Sequence, residues 1–227
     1  MTPTLLLIRP TKGAQAFARE CAALWPDLPI VRSPIMRIES HGAQVQPPGS
    51  VILSSASAVP QIAVPNGSRQ IAAYCVGPRT AKAAHAAGIK VALTAPDADA
   101  LIAEILCNPP NEPLLHLRGE HSRGDICQRL NKGGQPCTEL VVYRQVSQAL
   151  TDPARELLSG ATPVILPLFS PRSAQLLSLE STHIHAPMWI AALSSAVYEA
   201  WAGPADRVAL APTPDAQGML KAILKLM

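Results

Sequence analysis

The chain repeats itself in order. LLLIRP (5–10) returns as LLHLRG (114–119), SPIMRI (33–38) as LVVYRQ (140–145), and VILSSAS (51–57) as VILPLFSPRS (164–173). VALTAPDADALIAEIL (91–106) returns as VALAPTPDAQGMLKAIL (208–224). The offset between partners drifts only slowly along the chain, as a few short insertions would produce. Matching blocks in the same order imply a duplicated unit of about half the chain, and two such units predict two lobes with a cleft between them.

Composition narrows the class. With 227 residues, 48% of them apolar and 15% charged, the chain can bury two modest cores. The formal charge of +3 is carried by basic residues spread singly, and aromatics make up only 4%, so a nucleic-acid surface is not predicted. A small anionic ligand remains compatible. Five cysteines (Cys21, Cys75, Cys107, Cys127, Cys137) without a C-x-x-C pair predict reduced thiols in a cytosolic protein, with Cys75 and Cys127 as small core residues. No apolar run approaches the roughly 20 residues of a membrane span, and LLLI is too short for a signal peptide.

Short apolar runs alternate with amphipathic segments. LLLI, VIL, AAYCV, VAL and their partners read as parallel strands covered on both faces. Ala14, Phe17, Ala18, Cys21, Leu24 and Trp25 recur at helical spacing, and Leu101, Ile102, Ile105 and Leu106 are answered by Met219, Leu220, Ile223 and Leu224. These stripes predict core-facing helices. Gly77-Pro78 and Ser170-Pro171 each place a cap before a proline at the first helical position, while Gly88, Gly133 and Gly203 mark helix ends. Five strands per unit with intervening helices predict α/β lobes of the doubly wound, flavodoxin-like kind.

One pair of blocks departs from this pattern. In SPIMRIES (33–40) and ELVVYRQV (139–146), Arg37, Glu39, Arg144 and Gln145 interrupt the apolar run, which predicts half-exposed strands. Paired across a hinge, they would complete the first lobe with residues of the second unit. The residues alone leave this exchanged arrangement and two consecutive lobes both open.

The strand-Arg-Pro opening LLLIRP, VILSSASAV, YCVGPRTAKAAHAAG, the run LLHLRGEHSRGDICQRLNKGG followed by LVVYR, and the late strand-SPRSA block together resemble uroporphyrinogen-III synthase. The resemblance runs through the whole chain in order. It implies two flavodoxin-like parallel-sheet lobes from a tandem duplication, joined by a two-stranded antiparallel β-ladder. It favours the exchanged arrangement: residues 1–34 plus 147–227 as one lobe, 41–138 as the other, and 35–40 with 139–146 as the linker. The implied activity is closure of the linear tetrapyrrole hydroxymethylbilane with loss of water and inversion of ring D, by a cytoplasmic monomer without metal or organic cofactor.

Such a substrate carries eight carboxylates, and its pyrroles supply the electronic push for loss of the hydroxyl. The protein then has to fold the chain, hold the carboxylates and assist one proton transfer. That fits a sequence without a Ser/His/Asp signature, a paired-carboxylate motif or metal-ligand spacing. Helix starts that follow apolar strands are the natural anion holders, which nominates Ser54, Ser55 and Ser57, Gly77, Pro78 and Thr80, Ser170, Arg172 and Ser173, and Ser194 with Ser195. Each also reads as an ordinary helix cap. Arg9 and Arg118 follow the first strand of each unit and suit bidentate carboxylate contacts, against a competing reading as salt-bridged surface cations. Arg123 and Arg172 are weaker candidates of the same sort, as loop or first-turn cations near the expected rim. Tyr143 stands where the family carries a tyrosine proposed to assist departure of the hydroxyl, and a half-exposed ladder would turn it to the cleft. Its competing reading is a packing residue of the hinge strand.

The remaining signals are bland. His183 and His185 lack a third ligand nearby and read as a surface loop, and His116 as a residue packed in or beside the sheet. The chain also departs from the family pattern, with Ser194, Ser195 and Val197 replacing a Gly-Pro-x-Thr turn and Ile8 standing where threonine commonly precedes the arginine. The rival class is a two-lobed α/β solute-binding protein for a small polyanion, for which an export signal is expected and not found.

Overall fold

Strands covered on both faces need apolar side chains pointing both ways, and β1 (Thr4–Leu7) meets that demand with four buried residues. The computed structural model describes residues 2–64, 71–121 and 124–227. They fall into two units, Met1–Arg37 with Val146–Met227, and Ile38–Gln145.

In the first unit β1 is followed by α1 (Thr11–Leu24) and β2 (Ile30–Arg32). The second holds β4 (Val51–Leu53), β5 (Ala72–Val76), α2 (Pro78–Ala86), β6 (Lys90–Ala95), α3 (Ala98–Cys107), β7 (Leu114–Gly119) and α4 (Ile126–Lys132). The chain enters it along β3 (Met36–Ser40) and leaves along the single long β8 (Cys137–Ser147). It then completes the first unit with α5 (Asp152–Ser159), β9 (Val164–Leu168), α6 (Pro171–Ser178), β10 (Met188–Ala192), α7 (Ser195–Glu199), β11 (Arg207–Leu210) and α8 (Ala216–Leu226).

The first unit's sheet has the order β11-β10-β9-β1-β2 and is parallel throughout. The other has the order β3-β8-β7-β4-β5-β6, parallel from β8 to β6. Strands with matching sequence take matching places: β1 and β7, β9 and β4, β11 and β6. β3 runs antiparallel to β8, since His41 N–H donates to Val142 O (2.9 Å) and Gln148 N–H to Ile35 O (2.9 Å), pairs that recede in opposite directions.

Alternation along each strand divides the core. Leu5, Leu7 and Ile165 pack with Phe17, Met219 and Ile223 on one face, whereas Leu6, Ile8 and Leu166 pack with Leu158 and Leu177 on the other. In the second unit Val51 and Leu53 join Ala84 and Ile89, and Ile52 joins Leu101 and Leu130. Helix starts are secured by the repeated Pro-Asp-Ala: Asp97 accepts from Ala100 N–H (2.8 Å) and Asp215 from Gly218 N–H (2.7 Å).

Several expectations change. The helical stripes are narrower than their spacing predicts, with Leu24, Leu106 and Leu224 exposed because each lies past the edge of the face that meets the sheet. VILSSAS leads into a 3-10 turn, Ala56–Gln61, in which Pro60 removes one amide donor. α7 stops at Glu199, ahead of Gly203, against which the Trp201 ring is packed. Cys127 and Cys137 are not a pair of reduced thiols: α4 brings its second residue within 5.0 Å (Cα–Cα) of the start of β8, and the two form a disulfide. Cys21, Cys75 and Cys107 are free thiols, and burial pushes Cys21 up to about 12 and Cys75 to about 11.

Two stability outcomes follow. A β-carbon on Gly218 would lie 2.1 Å from Thr213 O. Gly218→Ala is therefore expected to lower unfolding free energy by about 1–3 kcal/mol in urea titration, although helix propensity alone favours alanine. His116, 2% exposed in β7, is pushed down to about 4, first by burial, with Glu139 raising it and Arg118 lowering it. The unfolded chain protonates this histidine near 6.5, so its contribution is whole above that pH and is lost as pH falls toward 4. The loss is about 3 kcal/mol. The melting temperature should drop across this window more steeply in the parent protein than in His116→Gln, and equal slopes would refute the assignment.

Candidate functional site

A parallel sheet with helices on both faces gathers the loops that follow its strands along one edge. β1, β9 and β10 are neighbours, so the segments after them place Arg9, Ser170, Arg172, Ser173, Ser194 and Ser195 on the C-terminal edge of the first unit's sheet. β7, β4 and β5 are neighbours likewise. Their ends place Arg118, the three serines 54, 55 and 57, Gly77, Pro78 and Thr80 on the corresponding edge of the second. The candidates thus form two groups, one per unit, and Arg123 lies outside the described residues.

Most of the hydroxyls are already engaged. Ser55 caps the 3-10 turn by accepting from Ser57 N–H (3.2 Å), and Ser170 caps α6 by accepting from Ser173 N–H (3.2 Å), with the two hydroxyls 2.9 Å apart. Ser173 and Thr80 are buried, so their hydroxyls belong to the interior. Ser54 meets the ring of His116 (Oγ···Nε2 2.9 Å). Ser194 occupies the cap position of α7 without a side-chain cap bond, and Ser195 is exposed. What the edge offers beyond side chains is backbone: Gly77 adopts φ 79°, a conformation that glycine takes without penalty, just before Pro78 opens α2.

The two equivalent arginines differ. The Arg9 guanidinium lies 3.8 Å over the ring of Phe169, which itself meets Phe17 edge to face at 5.0 Å. Arg118 is tied to its own unit, to Glu139 on β8 and to the carbonyls of Gly119 (3.0 Å) and Glu120 (3.2 Å). Its salt bridge is the competing reading made from sequence.

Tyr143 departs from expectation most clearly. β8 is half-exposed as a whole, yet Tyr143 is only 6% exposed and packs with Val142, Leu117 and Leu53. Gly119, opposite it on β7, makes the room: a β-carbon there would lie 2.6 Å from the ring and 2.9 Å from the hydroxyl. Phe169, Gly119 and the His116–Ser54 contact escaped the sequence reading. The last had a signal, since a histidine amid the apolar run LLHL needs a buried polar partner.

Elsewhere the first unit contains a cavity of about 290 Å³ over Leu150, Leu158 and Ile184, and none of the candidate residues lines it. Among the described residues no three metal-ligating side chains gather, and no helix is long and apolar enough to cross a membrane.

Comparisons with known proteins agree with this architecture. The family profile of uroporphyrinogen-III synthase HemD matches residues 30–221. Uroporphyrinogen-III synthetase from Helicobacter pylori superposes with a TM-score of 0.68 at 16% identity, covering 99% of this chain and 100% of that one. A mutant uroporphyrinogen III synthase from Thermus thermophilus gives 0.51 at 11% identity, covering 99% and 98%. Comparison with curated proteins gave no match. The profile spans most of the sequence and the mixed α/β fold with parallel sheets is shared end to end; the chain belongs to the uroporphyrinogen-III synthase family.

Proposed function

We propose that the chain closes hydroxymethylbilane to uroporphyrinogen III by holding its carboxylates at the C-terminal edges of the two sheets while the substrate's own pyrroles drive the chemistry. The family profile over residues 30–221 carries this reading, and it is what sets the solute-binding alternative aside. The matching strand places in the two sheets support descent of both units from one duplicated flavodoxin-like ancestor, with β3 and β8 as the linking ladder. A soluble cytoplasmic monomer is the accompanying proposal.

In this mechanism the pyrrole nitrogen of ring A expels the hydroxyl, which leaves as water once protonated. The substituted α-carbon of ring D attacks the resulting azafulvene to give a spiro intermediate. Breaking the spiro carbon's bond to the methylene bridge of ring C leaves a second azafulvene there, the free α-carbon of ring D attacks that methylene to close the macrocycle with ring D inverted, and loss of the proton from this carbon restores aromaticity. Anion holding falls to backbone amides at the helix starts after Ser54, Gly77, Ser170 and Ser194, with Ser55, Ser57, Pro78, Thr80, Ser173 and Ser195 shaping those turns. Arg9, Arg118 and Arg172 add cationic charge at the same edges. Tyr143 is assigned the proton donated to the departing hydroxyl, and the ring's packing against Gly119 fixes its direction.

The decisive assay incubates the protein with fresh hydroxymethylbilane, oxidises the product and separates porphyrin isomers. Type III is expected, and type I alone would sink the reading. Tyr143→Phe should lower kcat roughly tenfold with little change in KM, below the full range for general acids because the substrate is intrinsically reactive. Gly119→Ala should act in the same direction by displacing the ring. Parent-level turnover in Tyr143→Phe would remove the tyrosine from the mechanism.

A further inference from the structure

A serine hydroxyl serves an anion only when its proton points toward that anion, and its other hydrogen-bond partner decides where the proton goes. Ser54 is the first residue after β4, half-buried at the sheet's C-terminal edge. Its partner is His116 Nε2 at 2.9 Å, from the middle of the neighbouring strand β7, where the ring stands in register beside Ile52. The sheet fixes that imidazole. It is 2% exposed, and burial keeps it neutral at physiological pH. Of the charged side chains around it, Glu139, its register neighbour on β8, is bonded to Arg118, so those two charges largely offset each other.

A neutral imidazole carries one N–H, so the contact has two forms with opposite consequences. If the proton sits on Nδ1, Ser54 must donate to Nε2. The hydroxyl then shows only lone pairs to the sheet edge and repels a carboxylate. If the proton sits on Nε2, the ring donates to Ser54 Oγ and the hydroxyl proton is left for the ligand.

We propose that His116 is a positioning residue for the reaction: its Nε2–H donates to Ser54 Oγ and so turns the Ser54 hydroxyl proton toward a substrate carboxylate. This rests on the function proposed above and adds to it a specific anchor and the residue that orients it.

Two measurements test it. Nitrogen-15 NMR of the intact protein at neutral pH should find His116 as the Nε2–H tautomer, and the Nδ1–H tautomer would overturn the inference whatever the activity. In the isomer assay, Ser54→Ala and His116→Leu should each lower kcat/KM about tenfold, chiefly through KM, as expected for one hydrogen bond to a charged group. The double variant should be no worse than either single one. His116→Gln, whose amide N–H can still reach the serine, should stay within about threefold of the parent. Full activity in Ser54→Ala, or losses that multiply in the double variant, would overturn the proposal. Should His116→Leu fail to fold, the NMR measurement and Ser54→Ala still decide. A parent protein that makes no type III porphyrin would instead overturn the functional reading, and this inference with it.

Discussion

A strand buried on both faces can satisfy its backbone only through the strands at its sides, and that obligation organises both units. It forces β1, β9 and β10 into one parallel stack and β7, β4 and β5 into another. Parallel stacking in turn requires every connection to cross a face, which supplies the helices that cover it. Because all crossings begin at the same end of the strands, the loops that start helices collect along one edge of each sheet. The proposed anion-holding turns are therefore a by-product of how the backbone is satisfied, before any side chain is chosen for binding.

Side chains at those turns are mostly spent on the fold. Ser55 and Ser170 hold helix starts, Thr80 and Ser173 are interior, and Arg118 is held by Glu139 and two carbonyls. An edge built this way presents backbone amides and few uncommitted charges. A polycarboxylate held by many weak, equivalent donors can change shape without breaking a dominant contact, which suits a reaction in which one ring must turn over.

The alternation of strands and helices was legible because period-2 and period-3.6 patterns depend on neighbours only a few residues away. Phe17, Leu101 and Met219 could be assigned to helix faces, and Gly77-Pro78 and Ser170-Pro171 to helix starts, on that ground. What could not be read depends on residues distant in the chain. Tyr143 is buried because Gly119 sits across from it, Ser54 is engaged because His116 lies on the next strand, and Cys127 meets Cys137 because α4 folds back to the start of β8. Stripe width belongs to the same class, since whether Leu224 is covered is settled by how far the sheet extends beneath α8.

The route of the chain has a consequence during synthesis. The second unit is one uninterrupted stretch, Ile38–Gln145, whereas the first is split on either side of it. As the polypeptide leaves the ribosome, the apolar run 5–8 has only α1 and β2 for company until α5 and β9 emerge, so one of its faces and one of its edges stay uncovered. At ordinary elongation speeds that wait is on the order of ten seconds. The inserted unit can fold meanwhile, but the opening strand stays a sticky nascent segment, and this is the interval in which chaperone capture or aggregation would act on the newborn protein.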